Sequence, residues 1–225
     1  MIDGILIVDK EKRMTSHDVV NIVRRKFGIK KVGHAGTLDP NATGVLVLLL
    51  GKATKLSASF LNQDKEYIAT MKLGEKTDSG DCEGEVISRK TVVLTDREIE
   101  KTIGDFGGEL EQVPPMMSAK RVKGKRLYKM ARRGICIERD PVKVFVKDIK
   151  VLELSLPLVV FSVICSKGTY IRQLASDIGD ELGCGAHLTD LQRTRSGSFK
   201  LEQAVSLAAI KNMTREDLYE STIRI

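Results

Sequence analysis

Residues 32–40, Val32-Gly33-His34-Ala35-Gly36-Thr37-Leu38-Asp39-Pro40, set one carboxylate among residues that restrict the backbone around it. The two glycines supply unusual backbone angles, and Pro40 fixes φ immediately after Asp39. A carboxylate on a rigid turn beside a buried strand can serve as a nucleophile, which needs one geometry. The same residue types also build a tight turn in which Asp39 only caps the backbone. Taken alone, the spacing fits the capped turn better.

A second stretch with chemical potential is Cys165-Ser166-Lys167-Gly168-Thr169-Tyr170-Ile171-Arg172, read as a strand end, a glycine turn and a helix start. Arg172 on that first helical turn can pair with a carboxylate from another loop and keep it ionised, here Asp39. A solvated helix residue is the competing reading. The third feature is charge. Residues 118–150 hold twelve basic and three acidic side chains, so this segment carries +9 of a chain total of +7 and leaves −2 elsewhere. Gly124 and Tyr128 interleave with Lys123, Lys125 and Arg126, and Pro114-Pro115 announces a loop beforehand. Such a patch attracts a polyanion, although a charge run can equally be a solvated face.

Other chemistries lack their residues. Six apolar residues separate Gly44 from Gly51-Lys52, and Ala53 stands where a phosphate loop needs Ser or Thr. No GxSxG elbow or HExxH helix occurs. The four cysteines are scattered, and Cys184 with His187 is one ligand pair, not a zinc site. No metal or cofactor is expected.

These residues must be positioned by regular elements. Strands are expected over 4–8, 45–50, 65–73, 85–94, 142–154, 158–165 and 188–198. Along 65–73, Tyr67, Ala69 and Met71 share one face. Helices are expected over 15–27, with Asp18 three residues after Thr15 as a capping box, and over 54–61, 95–103, 126–133, 170–182 and 207–213. Residues 74–84 read as a polar turn. Strands and helices mix without a strict βαβ rhythm. The fold class is therefore α+β, with a mixed, largely antiparallel central sheet flanked by helices.

With 225 residues, 42% hydrophobic and 30% charged, the chain can bury a real core as one large domain or two small ones. Its longest apolar run, 45–50, is far short of a membrane span. Met1-Ile2-Asp3-Gly4 shows no signal-peptide pattern, and a reducing cytoplasm is the simplest compartment.

Taken together, the blocks resemble the TruB-type tRNA pseudouridine synthases from residue 4 to about 207. The resemblance rests on Gly33 to Pro40 with Ala42-Thr43-Gly44, and on Lys65-Glu66-Tyr67 leading to Leu73-Gly74 and Thr77-Asp78-Ser79-Gly80-Asp81. It rests also on Pro114-Pro115 with Ser118-Ala119-Lys120, and on Cys165 to Arg172 followed by Leu182-Gly183-Cys184-Gly185-Ala186-His187-Leu188.

That resemblance implies the pseudouridine synthase catalytic fold and a cofactor-independent isomerase acting on uridine-55 in the T-arm loop of tRNA. Asp39 would be the catalytic aspartate, attacking either the ribose C1′ or the uracil C6. Tyr67 would stack on the target uracil and is the candidate to take the C5 proton. Arg172 would ion-pair with Asp39, and Asp81 would extend that network. His34 would occupy space opened by flipped nucleotides, Tyr170 and Leu191 would line the pocket, and Lys10 matches a family lysine near the site. The expected organisation is one catalytic domain over 1–225 with a basic RNA-clasping insertion at about 112–140, including Lys123, Lys125 and Arg126. No C-terminal PUA domain is expected, and the protein would be a cytoplasmic monomer. Three departures stand out: Glu11 follows Lys10 where the family has Pro, Met116-Met117 replaces an aromatic before Ser118-Ala119, and the chain stops at Ile225.

Overall fold

The structure is a computed structural model that describes residues 2–118, 120–122, 124–131 and 133–225. The chain divides into two compact units, Met1–Tyr67 with Leu191–Ile225, and Ile68–Asp190. It passes from the first to the second within the Lys65–Leu73 strand and returns within the Ala186–Ser196 strand.

The first unit is organised by the apolar run. The Thr43–Leu50 strand pairs antiparallel with Gly4–Lys10 along one edge. Its other edge is shared, antiparallel by Val32–Ala35 near Leu50 and parallel by Gln192 and Arg193 near Thr43. All six residues from Val45 to Leu50 are fully buried. Alternation therefore buries both faces, as continuous apolar strands demand. Val45, Val47 and Leu49 join Ile5, Ile7, Ala35, Ala53 and Phe199 in one cluster, each fully buried aliphatic side chain contributing about 1.5–3 kcal/mol. The Ser16–Phe27 helix begins at a Thr15–Asp18 capping box and ends at Gly28 in a left-handed conformation, burying Val19, Val20, Val23 and Phe27.

In the second unit, the Leu158–Cys165, Val142–Ser155 and Gly108–Gln112 strands form an antiparallel sheet. The Asp96–Asp105 helix packs on Val142–Ser155 and on the Ile171–Glu181 helix, burying Ile99 and Ile103. The fold is thus mixed in strand direction, largely antiparallel and flanked by helices. Among the described residues, no helix is long and apolar enough to cross a membrane.

Several sequence expectations need correction. Residues 32–40 are not one turn. Val32–Ala35 is a strand, and of the two glycines only Gly36 has a left-handed φ, +97°. Its four residues Val-Gly-His-Ala carry no strand pattern, and pairing to the buried neighbour decides the conformation. The Val86–Arg89 strand is shorter than 85–94 because its partner, Glu75–Thr77, offers only three residues and lies inside the expected polar turn. The 54–61 helix begins as a 3-10 turn, Gly51–Leu56, before Ser57–Leu61. Within the expected 126–133 helix, Leu127–Ala131 is helical, and Arg126 belongs to a short strand, Lys125–Arg126, paired antiparallel with Arg121–Val122. The last long strand starts two residues early, at Ala186, and ends at Ser196 before Gly197. Gly108–Gln112 and a final helix, Arg215–Glu220, lie outside the sequence reading. The Glu109 and Glu111 side chains give that edge strand no apolar face to recognise.

Candidate active site

In the first unit, Asp39 sits half-buried on the loop of residues 36–42. Three buried polar side chains from three different elements hold the main chain of this loop. Lys10, at the end of its strand and fully buried, donates to the carbonyls of Glu11 at 2.8 Å, Met14 at 2.9 Å and Pro40 at 3.0 Å. Each of its three N–H bonds therefore has an acceptor. Ser16, the first residue of its helix, accepts from the Leu38 N–H at 2.9 Å and donates to the Leu38 carbonyl at 3.1 Å. Arg193 donates from Nε to the Val45 carbonyl at 2.7 Å and from its guanidinium to the Gly36 carbonyl at 3.0 Å. The Ala42 N–H closes the loop on the Asp39 carbonyl at 3.1 Å. Burial pushes the Lys10 ammonium down to about 8, against the opposing pull of the Asp39 carboxylate and with a further push from Arg193.

Two glycines fit this framework. Gly36 and Gly44 have φ of +97° and +96°, which other residues resist. Gly44 lies opposite Lys10 on one side and Arg193 on the other, and any Cβ there would run into the main chain of Arg193. His34 stands in the Val32–Ala35 strand opposite Leu48, half-buried, and not on the turn itself. Tyr67 lies on the buried face of its strand with Ala69 and Met71, and Leu191 is buried.

In the second unit, the structure brings Arg172 and Asp81 together. Arg172, buried on the first turn of its helix, pairs with Asp81 at 3.3 Å and donates to the carbonyls of Met117 at 2.8 Å and Ser79 at 3.2 Å. Asp81 in turn accepts from the Ser79 hydroxyl at 2.6 Å and the Glu83 N–H at 3.1 Å. A guanidinium with this many acceptors is fixed in orientation. The bond to Met117 uses its carbonyl, so the missing aromatic side chain there costs Arg172 nothing. Tyr170 caps this helix, its N–H donating to the buried Gln112 at 3.0 Å. Lys125 and Arg126 are exposed on their two-residue strand, where Arg126 lies 6.0 Å over the Tyr128 ring. Lys123 lies outside the described residues. Among the described residues no three His, Cys, Asp or Glu side chains converge as metal ligands.

Sequence reasoning missed Ser16, Gln112 and Arg193. For two of them a signal exists. Ser16 falls on the helical face of Val19, Val20 and Val23, and Arg193 alternates in phase with the buried Leu191.

Comparison with known proteins agrees with these elements. Residues 24–171 match the TruB family pseudouridylate synthase N-terminal domain, and residues 172–224 match the tRNA pseudouridylate synthase B C-terminal domain. A protein of Protochlamydia amoebophila named tRNA pseudouridine synthase B is 50% identical over 224 residues, 99% of this chain and 84% of its own length. A solved Cbf5–Nop10–Gar1 complex contains a chain similar to 98% of this one, with 31% identity and a TM-score of 0.76. A second similar chain, with 30% identity and a TM-score of 0.71, comes from an H/ACA RNP bound to a substrate RNA containing 2′-deoxyuridine. This chain spans 60% and 58% of the lengths of those two solved chains. The fold is that of a pseudouridine synthase, an isomerase. Within that class, the chain belongs to the TruB family of pseudouridylate synthases.

Proposed function

We propose that this enzyme isomerises uridine to pseudouridine at uridine-55, in the T-arm loop of tRNA, with Asp39 as its catalytic aspartate. One observation carries the assignment: the loop of residues 36–42 is pinned through its own main chain by Lys10, Ser16 and Arg193, leaving its carboxylate in one place. Three buried polar anchors are an expensive way to hold a mere capping turn, and a suitable way to hold a nucleophile. The names of the relatives support tRNA as the substrate.

The target uridine is first extruded from its folded loop. The Asp39 carboxylate attacks C1′ of the ribose or C6 of the uracil. The N1–C1′ bond breaks, the base turns, and a new C5–C1′ bond forms, with Asp39 displaced from C1′ as C5 attacks, or eliminated from C6 as the C5=C6 bond is restored, so that its carboxylate is regenerated. The C5 proton then leaves, with Tyr67 as its acceptor, and N1 gains a proton, so atoms balance without an external reagent. Tyr67 also stacks on the uracil, as aromatic side chains do with unstacked bases. Arg172 supplies positive charge to the reaction from a guanidinium that Asp81 orients. His34 fills space vacated by nucleotides, while Tyr170 and Leu191 contact the flipped base. The basic insertion, including Lys123, Lys125 and Arg126, clasps the RNA backbone. The reading includes a single catalytic domain and a cytoplasmic, monomeric enzyme without cofactor.

The test is modification mapping on a T-arm stem-loop and on rRNA fragments after incubation with the protein. Pseudouridine at uridine-55 is expected. Product only in rRNA would overturn the tRNA assignment.

A further inference from the structure

Arg193 is the largest fully buried side chain of the described residues. A buried cation is a poor choice for stability alone, since its desolvation costs several kcal/mol and an apolar residue of similar size packs as well. Its contacts show what the charge is for. The guanidinium reaches the Gly36 carbonyl at the start of the loop carrying Asp39, and Nε–H reaches the Val45 carbonyl just beyond its end. The main chain of Arg193 pairs with Gly44, so the loop leaves and rejoins the sheet against this one residue. A Cβ on Gly36 would sit 3.3 Å from the guanidinium, tight enough to push the two apart.

We infer that Arg193 is a positioning residue for the catalytic carboxylate: it fixes both ends of the loop and so sets where Asp39 meets the uridine. This rests on the proposed role of Asp39. Arg193 holds its guanidinium through main-chain carbonyls and acts on the reaction through the loop.

The charge of Arg193 also bears on Lys10, the second cation beneath the loop. The groups facing Lys10 are Asp39, Asp18 and Asp9, which hold its proton on, and Arg193, which with burial drives it off. Removing the Arg193 charge therefore raises the Lys10 pKa and moves any alkaline limb of the activity that Lys10 controls to higher pH.

The experiment compares Arg193→Gln, Arg193→Lys and Asp39→Asn on a T-arm stem-loop, reading kcat, KM, the pH profile and the circular-dichroism melt. For Arg193→Gln, kcat is expected to fall about a hundredfold with KM within about threefold, and the alkaline limb to move up. Arg193→Lys, which keeps the charge and reaches fewer carbonyls, is expected to recover about tenfold of that loss. Wild-type kcat in a folded Arg193→Gln protein, while Asp39→Asn is dead, overturns the inference and leaves the role of Asp39 standing. Full activity of Asp39→Asn overturns both. Failure of both Arg193 variants to fold makes the residue a structural post and overturns the inference.

Discussion

The loop of residues 36–42 and the paired strands Arg121–Val122 and Lys125–Arg126 are built on opposite terms. In the loop the side chains that matter are buried, uncommon in a core, and bonded to main chain: Lys10, Ser16 and Arg193 each close a carbonyl or N–H that would otherwise be stranded. In the strand pair the side chains that matter, Lys125 and Arg126, point to solvent from a strand two residues long. The contrast fits the two different jobs proposed for these segments. Making and breaking a glycosidic bond requires one carboxylate in one place, because small misplacements are costly in rate. Gathering a polyanion requires charge at the surface, where it acts over roughly 8–10 Å and tolerates many arrangements.

The largest effect expected from breaking the ordered side of this comparison is Asp39→Asn. Pseudouridine formation, measured by modification mapping, should fall by more than about a thousandfold while stem-loop affinity stays within about twofold. Next comes Asp81→Ala, which takes the Asp81 carboxylate away from the buried Arg172. A loss of about 3 kcal/mol in urea unfolding is expected, moderated by the Ser79 and Met117 carbonyls that remain. An unchanged midpoint would show that those carbonyls suffice.

Lys10 sharpens the comparison through pH. Its folded pKa lies near 8, below the ordinary 10.5. Between those values the unfolded chain binds the extra proton, so the stability contributed by this group rises with pH across that window. Activity is expected to move the other way. The neutral amine keeps two N–H donors for three carbonyls, the loop loses an anchor, and kcat falls above about pH 8. Lys10→Arg should abolish that inflection, and its survival would remove Lys10 from the account. The smallest effect belongs to the exposed side. Neutralising Lys123, Lys125 and Arg126 together should weaken stem-loop binding several-fold and flatten its salt dependence by up to about 0.7–0.9 per lost contact, with kcat at saturating RNA unchanged. A fall in kcat would mean that the insertion does more than capture RNA.

Much of this was legible before any coordinates. The Thr15–Asp18 capping box places a helix start to the residue, because a cap is a local hydrogen-bond pattern written in adjacent residues. The Lys65–Leu73 strand is correct at both ends, since its alternation separates buried Tyr67, Ala69 and Met71 from exposed Ile68. Pattern fails where conformation is imposed from outside. Val32–Ala35 is extended only because Thr43–Leu50 offers it a ladder, and Gly108–Gln112 because Val142–Ser155 does. The anchors of the Asp39 loop were hidden for a related reason. Ser16 and Arg193 lie 22 or more positions from the carbonyls they serve, and one sequence does not display such pairings. Lys10 and Asp81 were singled out through the family resemblance, and Arg172 first through its place at a helix start after a glycine turn.

The anchors that Lys10, Ser16 and Arg193 supply to the Asp39 loop grip main chain: the Gly36, Leu38 and Pro40 carbonyls and the Leu38 N–H. The side chains of exposed Thr37 and half-buried Asn41 take no part in those four bonds. The loop is therefore a clamp indifferent to much of its own lettering. In a saturation library, positions 37 and 41 should accept many residues, whereas positions 10, 16 and 193 should accept few. Tolerance would then be mapped onto the residues nearest the Asp39 carboxylate, and intolerance onto residues remote from it in the chain.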